Sequence, residues 1–225
     1  MLRDAPKSGI VARASMHMPR PEEATMSSLM EPRRQSDLPT NMTIDEFFDW
    51  LDTHEDHYEL VDGTPVLTPF VNRAHARIGG NIDRLLQAAL DPDEYLVTQG
   101  DFAIRTGPRS MRFADLLVEP SNDDLGGRIS ERTLLIVEVL SDSTAKIDSN
   151  QKRLEYLGLS DLDTYLIASQ DEARIWIWTR EAGGWPEMPL VLTEGSVPIG
   201  ALGASLPFAE IHRGVHRIDD PARSD

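Results

Sequence analysis

Apolar residues along this chain follow two patterns, one typical of helices and one typical of buried strands. Thr133–Leu140 is an almost unbroken apolar run with one carboxylate, Glu138, inside it. Phe113–Val118 repeats the pattern about 20 residues upstream with Asp115. Runs of this kind predict strands that are buried on both faces. Because a buried acid is costly unless it is paired or bound to a metal, a metal site is the leading hypothesis.

The remaining pattern predicts a mixed sheet flanked by helices, which is an α/β fold with an N-terminal helix and hairpin. Thr43–Glu46 has the form of a capping box before a short helix, and Asp62-Gly63 is a strong hairpin signal. The other predicted elements, in chain order, are a helix over 72–90, a strand or bent strand pair over 95–105, a strand over 112–118, a polar loop over 119–130, a helix over 145–157, strands over 164–168, 173–179 and 189–193, and a helical turn over 206–211.

The chain divides into three predicted regions. Residues 1–40 contain several prolines and few aromatic residues, so we expect a disordered N-terminal tail. Residues 41–215 form the predicted domain, and 216–225 form a C-terminal tail. A length of 225 residues favours one domain over two.

Composition narrows the chemistry. The chain has no cysteine, which excludes disulfides, thiolate metal sites and cysteine nucleophiles. Its formal net charge of −16 argues against a simple DNA-binding role, because contacts with phosphates dominate the affinity for duplex DNA. No apolar stretch reaches the ~20 residues of a membrane span. We therefore expect a cytoplasmic protein.

Three acids are candidate metal ligands. Side chains alternate along a strand, so Asp115 and Glu138 can point to the same side if their strands are neighbours. Glu59, on the first arm of the hairpin, is the candidate third carboxylate. Oxygen ligands suit Mg²⁺ or Mn²⁺.

One basic residue has the spacing of a catalytic partner. The helix after Glu138 places Asp148, Lys152 and Tyr156 on one stripe. Lys152 could stabilise an oxyanion or a nucleophilic water near the metal. In the alternative reading, Asp148 and Lys152 form an exposed pair and Tyr156 is a half-buried anchor.

Three segments together resemble the Uma-two family, a group of restriction-endonuclease-like proteins in the PD-(D/E)xK nuclease superfamily. They are Tyr58–Gly63, Phe113–Val118 and Val137–Thr144, the last followed by Asp148, Lys152 and Tyr156. The resemblance spans roughly positions 42–212, with matching order and spacing. It implies a core sheet flanked by helices and a divalent-metal nuclease site.

The resemblance also implies the role of each site residue. Glu59 matches the N-terminal acid of the family, Asp115 the motif aspartate and Glu138 the motif acid. Ala114 stands where the superfamily motif has proline, and Leu140 stands where it has lysine. The family places its lysine on the next helix, which makes Lys152 the substitute, ahead of Lys146.

His75 begins its predicted helix, where this family often has a histidine. A capping or surface role is the first interpretation, and a place at the rim of the site is the second.

Three functional hypotheses remain open. The first is a Mg²⁺-dependent endonuclease that hydrolyses phosphodiester bonds in nucleic acid. The second is a non-catalytic binding or regulatory module that keeps the nuclease fold, which the net charge of −16 motivates. The third treats Asp115 and Glu138 as structural acids in buried ion pairs with Arg105, Arg112 or Lys152. A homodimer is an expectation by analogy with the fold.

Overall fold

A computed structural model describes residues 38–124, 126–140 and 149–215 of the chain. Several predictions lie outside the described residues. These are most of the N-terminal tail, the C-terminal tail, the helix start over 141–148, and with it Lys146 and Asp148.

Four α-helices, thirteen strands and a short 3₁₀ helix (Gly200–Leu202) form the described part of the fold. The helices are α1 (Ile44–Leu51), α2 (Arg73–Ala89), α3 (Ser149–Leu157) and α4 (Phe208–Ile211). The strands are β1 (Tyr58–Val61), β2 (Thr64–Leu67), β3 (Tyr95–Gln99), β4 (Ala103–Gly107), β5 (Ser110–Phe113), β6 (Leu116–Pro120), β7 (Ile129–Ser130), β8 (Leu135–Leu140), β9 (Thr164–Ser169), β10 (Ile175–Thr179), β11 (Leu190–Leu192), β12 (Ser196–Ile199) and β13 (Ala204–Pro207).

The strands form two mixed sheets and a separate hairpin. The large sheet has the order β11-β10-β9-β8-β6-β3, and the small sheet has the order β2-β1-β5-β4-β7. In the large sheet β8 and β9 are parallel, so the chain between them must cross over, and α3 lies in that crossover. Among the described strands, β12 and β13 pair only with each other. The predicted mixed sheet flanked by helices, with an N-terminal helix and hairpin, is confirmed.

Side-chain alternation divides the large sheet into two packed faces. Leu135, Val137 and Val139 of β8 pack with α2, α4 and the β12–β13 hairpin. The intervening residue Ile136 faces the other side, where Tyr156 of α3 packs. Glu138 has the same strand parity as Ile136, so it belongs to the α3 face. A third cluster joins α1 to the small sheet.

Local sequence signals determine the N-terminal elements as predicted. Thr43 caps α1 through its side chain, and the Glu46 carboxylate accepts a hydrogen bond from the Thr43 backbone, so the capping box forms. Asp62 and Gly63 have φ angles of 48° and 79°, the left-handed conformation that a two-residue hairpin requires.

The prediction of a single strand over 112–118 is wrong. β5 ends at Phe113 in the small sheet, and β6 begins at Leu116 in the large sheet. Ala114 and Asp115 connect the two sheets, so Asp115 lies at a junction and not inside a buried strand. Its side chain keeps 24% of its exposure. The apolar run is continuous because both sheets bury their share of it, and periodicity cannot reveal where the chain changes sheet.

The predicted polar loop over 119–130 is also wrong at both ends. Glu119 belongs to β6 and is buried, and Ile129–Ser130 forms β7. Glu119 accepts a 2.6 Å hydrogen bond from the Ser130 hydroxyl, which explains how an acid is tolerated there.

The predicted helical turn over 206–211 is right from Phe208 onward, but Ala204–Pro207 is a strand.

Among the residues that the structure describes, no helix is both long and apolar enough to cross a membrane.

Gly63→Ala should destabilise the protein by about 2–4 kcal/mol, because an added Cβ would lie 3.0 Å from the backbone of Asn41 and Met42 in a left-handed conformation. Urea denaturation measures the loss. Gly203→Ala is the matched control, since Gly203 has a φ of 62° but no atom within 4 Å of the added Cβ. Equal losses in the two variants would contradict the steric explanation.

Candidate active site

Glu138 is a buried carboxylate in the middle of the large sheet. It lies on β8, between β6 and β9, and its exposed fraction is 4%. Its Oε1 atom accepts a hydrogen bond from the Tyr156 hydroxyl at 2.9 Å and lies 3.0 Å from the Lys152 ammonium. Tyr156 is fully buried, so the alternative prediction of a half-buried anchor understates its burial.

Lys152 extends from α3 to Glu138. Its Nζ atom lies 3.0 Å from Glu138 Oε1 and 2.9 Å from Glu59 Oε1. It also donates a hydrogen bond to the Phe113 carbonyl at 3.1 Å. The alternative in which Lys152 forms only an exposed helix pair is therefore wrong, because its side chain is largely buried against two acids.

Glu59 brings the small sheet into the same cluster. Its Oε1 atom pairs with the Lys152 ammonium and accepts a hydrogen bond from the Phe113 amide at 3.2 Å. Its Oε2 atom accepts a hydrogen bond from Arg112 at 2.9 Å. Arg112 also donates hydrogen bonds of 2.8 and 2.7 Å to the Glu155 carboxylate on α3. Both oxygens of Glu59 thus have cationic partners.

Asp115 approaches Glu138 along the backbone of β8. Its Oδ2 atom accepts a 2.6 Å hydrogen bond from the amide of Val139, the residue after Glu138, and lies 3.0 Å from His75 Nε2. Asn72, not His75, caps α2, because the Asn72 side chain accepts a hydrogen bond from the His75 amide. The His75 side chain is only 15% exposed, so the first interpretation, a capping or surface role, is wrong. The side chain of His75 belongs to the site.

A cavity of about 230 Å³ contains all four predicted site residues. Glu59, Asp115, Glu138 and Lys152 line it together with His75. We call it the carboxylate cavity. The sequence-based site therefore comes together in space, although Asp115 enters from a junction and not from a strand.

The two acids that share Lys152 have opposite pKa shifts. Burial raises the pKa of Glu59, but Lys152 and Arg112 outweigh it, so the net pKa is lowered. Burial raises the pKa of Glu138 to about 7; Lys152 opposes this rise, and the negative charges of Asp115 and Glu59 add to it. Among the described residues, two cations, Lys152 and Arg112, stabilise the charge of Glu59, and one cation, Lys152, stabilises the charge of Glu138.

The lysine is held in its charged form. Burial alone lowers the pKa of Lys152, but Glu138 and Glu59 outweigh it and raise the net pKa. Burial, followed by the charge of Glu138, raises the pKa of Tyr156, so the hydroxyl remains a hydrogen-bond donor.

The donor set bears on the predicted metal site. No group of three or more His, Asp or Glu side chains in the described ranges could hold a metal ion together. Among the described residues, four carboxylates and two cations meet in the network, which leaves two negative charges when His75 is neutral and Glu138, whose pKa is raised to about 7, is ionised. The carboxylates are Glu59, Asp115, Glu138 and Glu155, and the cations are Arg112 and Lys152.

A divalent cation would balance these two charges, and carboxylate oxygens suit Mg²⁺ or Mn²⁺. Glu59 is the poorest donor of the predicted three, because Lys152, Arg112 and the Phe113 amide occupy its oxygens. Asp115 and Glu138 fit best. Within the described residues, the hydrogen bonds and ion pairs of each fall on a single oxygen, Oδ2 and Oε1 respectively.

Sequence reasoning missed the part played by Arg112 and Glu155. The third hypothesis paired Arg112 with Asp115 or Glu138, whereas Arg112 pairs with Glu59 and Glu155. Alternation along β5 places Arg112 opposite in direction to Met111, which is a core residue of the small sheet. The sequence could therefore have shown that Arg112 points away from that core, but not which acid it meets.

Comparisons with known proteins agree with this architecture. The model of a protein family described as "Uma2: Putative restriction endonuclease" matches residues 44–209. A solved structure described as "a putative nuclease belonging to DUF820 from Anabaena variabilis ATCC 29413" superposes with a TM-score of 0.62 at 16% identity. The superposition covers 76% of this chain and 97% of that one. This likeness establishes the fold. The comparison with curated proteins finds no match.

Glu155→Gln should lower the free energy of unfolding by about 1–3 kcal/mol at neutral pH, because it removes a charged partner of the buried Arg112. Burial raises the pKa of Glu155, but Arg112 outweighs it and the net pKa lies below 4.5. The contribution is therefore complete above pH 4.5 and disappears as the pH falls through the lowered pKa.

Urea denaturation of both proteins between neutral and acidic pH measures this difference. The gap between wild type and Glu155→Gln should narrow below about pH 4.5. The exposed Glu187, changed to Gln, is the control and should show no such gap. A gap that is constant with pH would contradict the role assigned to the Glu155 charge.

Proposed function

The chain belongs to the Uma2 family, and on that premise we propose that it is a divalent-metal-dependent nuclease that hydrolyses phosphodiester bonds. The observation that carries the proposal is the position of Lys152. Its ammonium lies 3.0 Å from Glu138 in the cavity that also holds Asp115. A buried cation beside two acids is an arrangement that phosphoryl chemistry uses and that stability alone does not favour.

In this proposal Asp115 and Glu138 hold Mg²⁺ or Mn²⁺. A bound divalent cation of this kind polarises a phosphoryl oxygen and lowers the pKa of a coordinated water. The Val139 amide orients Asp115, and the Tyr156 hydroxyl orients Glu138. These two hydrogen bonds keep the acids in place before substrate arrives, which is the preorganisation that catalysis requires.

Lys152 acts in this proposal through its charge. Its three acceptors, two carboxylates and the Phe113 carbonyl, match the three N–H bonds of an ammonium. Such a group has no lone pair with which to accept a proton. Its positive charge, close to the cavity, stabilises the negative charge that develops on the phosphoryl oxygens.

We assign Glu59 and Arg112 to positioning. Arg112 holds Glu59 at 2.9 Å, and Glu59 holds Lys152 at the same distance. This assignment departs from the expectation that Glu59 is a third metal ligand. It follows from the occupied oxygens of Glu59.

His75 is the residue that could move a proton at this site. Its Nε2 atom lies 3.0 Å from Asp115 Oδ2, and its side chain lines the carboxylate cavity. An imidazole has two ring nitrogens, so it can donate a proton through one and accept a proton through the other. In this proposal His75 assists proton transfer to or from the reacting water.

A non-catalytic module with the same fold is the second candidate, and two observations favour it. The described residues form no three-ligand metal group, and the formal net charge is −16. Titration calorimetry with Mn²⁺ separates the two candidates. Binding that is lost in Glu138→Gln supports the nuclease, and the absence of binding at millimolar Mn²⁺ supports the module.

Asp115→Asn and Glu138→Gln should each reduce metal-dependent cleavage of labelled oligonucleotides by at least ~100-fold, because each removes a charge that the metal needs. Both amides keep the shape of the acid. Glu138→Gln removes one charged partner of Lys152, but Glu59 remains at 2.9 Å and the repulsion from Asp115 is lost, so the protein should stay folded, which circular dichroism checks. Glu119→Gln is the control, since Glu119 is buried outside the cavity. Cleavage that persists in both variants would refute the proposal.

A further inference from the structure

A second cavity, of about 740 Å³, adjoins the carboxylate cavity. The two share His75, Phe113, Asp115 and the segment 68–71 as lining. The second cavity extends along α2, where Gly79 and Gly80 line it, so we call it the glycine cavity. Its volume lies within the roughly 300–1,000 Å³ of small-ligand sites.

The two glycines lie in the middle of α2, where glycine is destabilising relative to alanine. Packing within the described part of the chain does not require them. A Cβ added at Gly80 would meet nothing within 4 Å, and one added at Gly79 would meet only Leu116 at 4.0 Å. A bare helix surface that no neighbour occupies permits a ligand to approach the backbone closely.

An aromatic ring lies at the boundary of both cavities. Phe70, between β2 and α2, lines each of them and has an exposed fraction of 80%. Its neighbours Leu67 and Val71 are also exposed, at 53% and 58%. The ring contacts the imidazole of His57 edge-on, with 5.9 Å between centroids. One face of Phe70 is thus available for stacking.

The charge of the chain limits which nucleic acid could use this surface. Binding of duplex depends on cations that contact phosphates, and here 22 basic residues face 38 acidic ones. Acidic side chains, including Glu55, Asp56 and Asp101, also line the glycine cavity. Stacking on an aromatic ring does not need such cations, but it requires an unpaired base.

We propose that the glycine cavity, with Phe70 at its rim, binds an unpaired nucleobase of single-stranded nucleic acid, adjacent to the phosphodiester held in the carboxylate cavity. The position of the phosphodiester rests on the proposed nuclease function. The base stacks on Phe70 and packs against the bare backbone of Gly79 and Gly80. Single strands, frayed ends and splayed bases are the substrates that can supply it.

The test uses the full-length chain in chelator, so that binding is measured without cleavage. Fluorescence anisotropy compares a labelled thymidine oligonucleotide of about 12 nucleotides, within the site sizes of single-strand binders, with the same strand in a duplex. The single strand should bind about 10-fold more tightly. Equal affinity, or tighter binding of the duplex, would overturn the proposal.

Two variants of Phe70 test whether the single strand binds at this ring. Phe70→Ala should weaken it about 10-fold, and Phe70→Tyr, which keeps the ring, should restore it. Met188→Ala is the matched control, because Met188 is similarly exposed, at 74%, and lines neither cavity. A Phe70→Ala protein that binds normally but changes its oligomeric state would assign the ring to a contact between copies and overturn the proposal.

Gly80→Leu tests the glycine surface with two readouts of opposite sign. It should raise the melting temperature, because leucine favours a helix over glycine, and weaken binding of the single strand about 10-fold by filling the cavity. Ala88→Leu adds bulk to the same helix at an exposed position outside the cavity and should leave the affinity unchanged. A lower melting temperature or unchanged affinity in Gly80→Leu would overturn the proposal.

The nuclease proposal and the nucleobase proposal fail in distinguishable ways. Tight binding of single strands that Phe70→Ala and Gly80→Leu reduce, with no cleavage in any metal, supports the nucleobase subsite and refutes the nuclease. Cleavage that needs Asp115 and Glu138 but is equal on single strands in both variants supports the nuclease and refutes the subsite.

Discussion

The contact of one lysine ammonium with two carboxylates from two different sheets is the constraint on which the candidate site depends. Glu59 belongs to the small sheet and Glu138 to the large one, and Lys152 lies 2.9 and 3.0 Å from them. Without that cation, two acids would be buried at close range with mutual repulsion. The helix α3 supplies it because the parallel pairing of β8 with β9 requires a crossover on this face.

Glu59 and Glu138 both pair with Lys152, but their charges are not equally compensated, and their pKa values shift in opposite directions. Arg112 gives Glu59 a second cation, so burial does not prevent its ionisation. Among the described residues, Glu138 has one cation beside it, Lys152, and two acidic neighbours, and its pKa rises to about 7. A carboxylate whose charge is incompletely compensated is better suited to a divalent cation than one whose oxygens are already occupied. This contrast underlies the roles that we propose for the two residues.

The surroundings of the site explain how an acidic chain could act on a polyanion. The formal net charge of −16 makes extensive phosphate contact unfavourable. A site of this kind needs local cations at the reacting phosphate and uncharged contacts elsewhere. Lys152 satisfies the first need, and Phe70 with the bare surface of α2 could satisfy the second. The two cavities adjoin at His75 and Asp115.

Local chemistry in the sequence was sufficient for the α1 cap, the hairpin at Asp62-Gly63 and the mixed fold class. It was also sufficient to select the four predicted site residues, all of which line the carboxylate cavity. Each of these features depends on short-range pattern or on motif spacing. Tertiary structure alone decided three things: that the chain changes sheet at Asp115, that Glu119 is a buried strand residue, and that Arg112 pairs with Glu59 and Glu155. Periodicity gives the direction of a side chain, but the partner that it meets depends on which sheets and helices pack together.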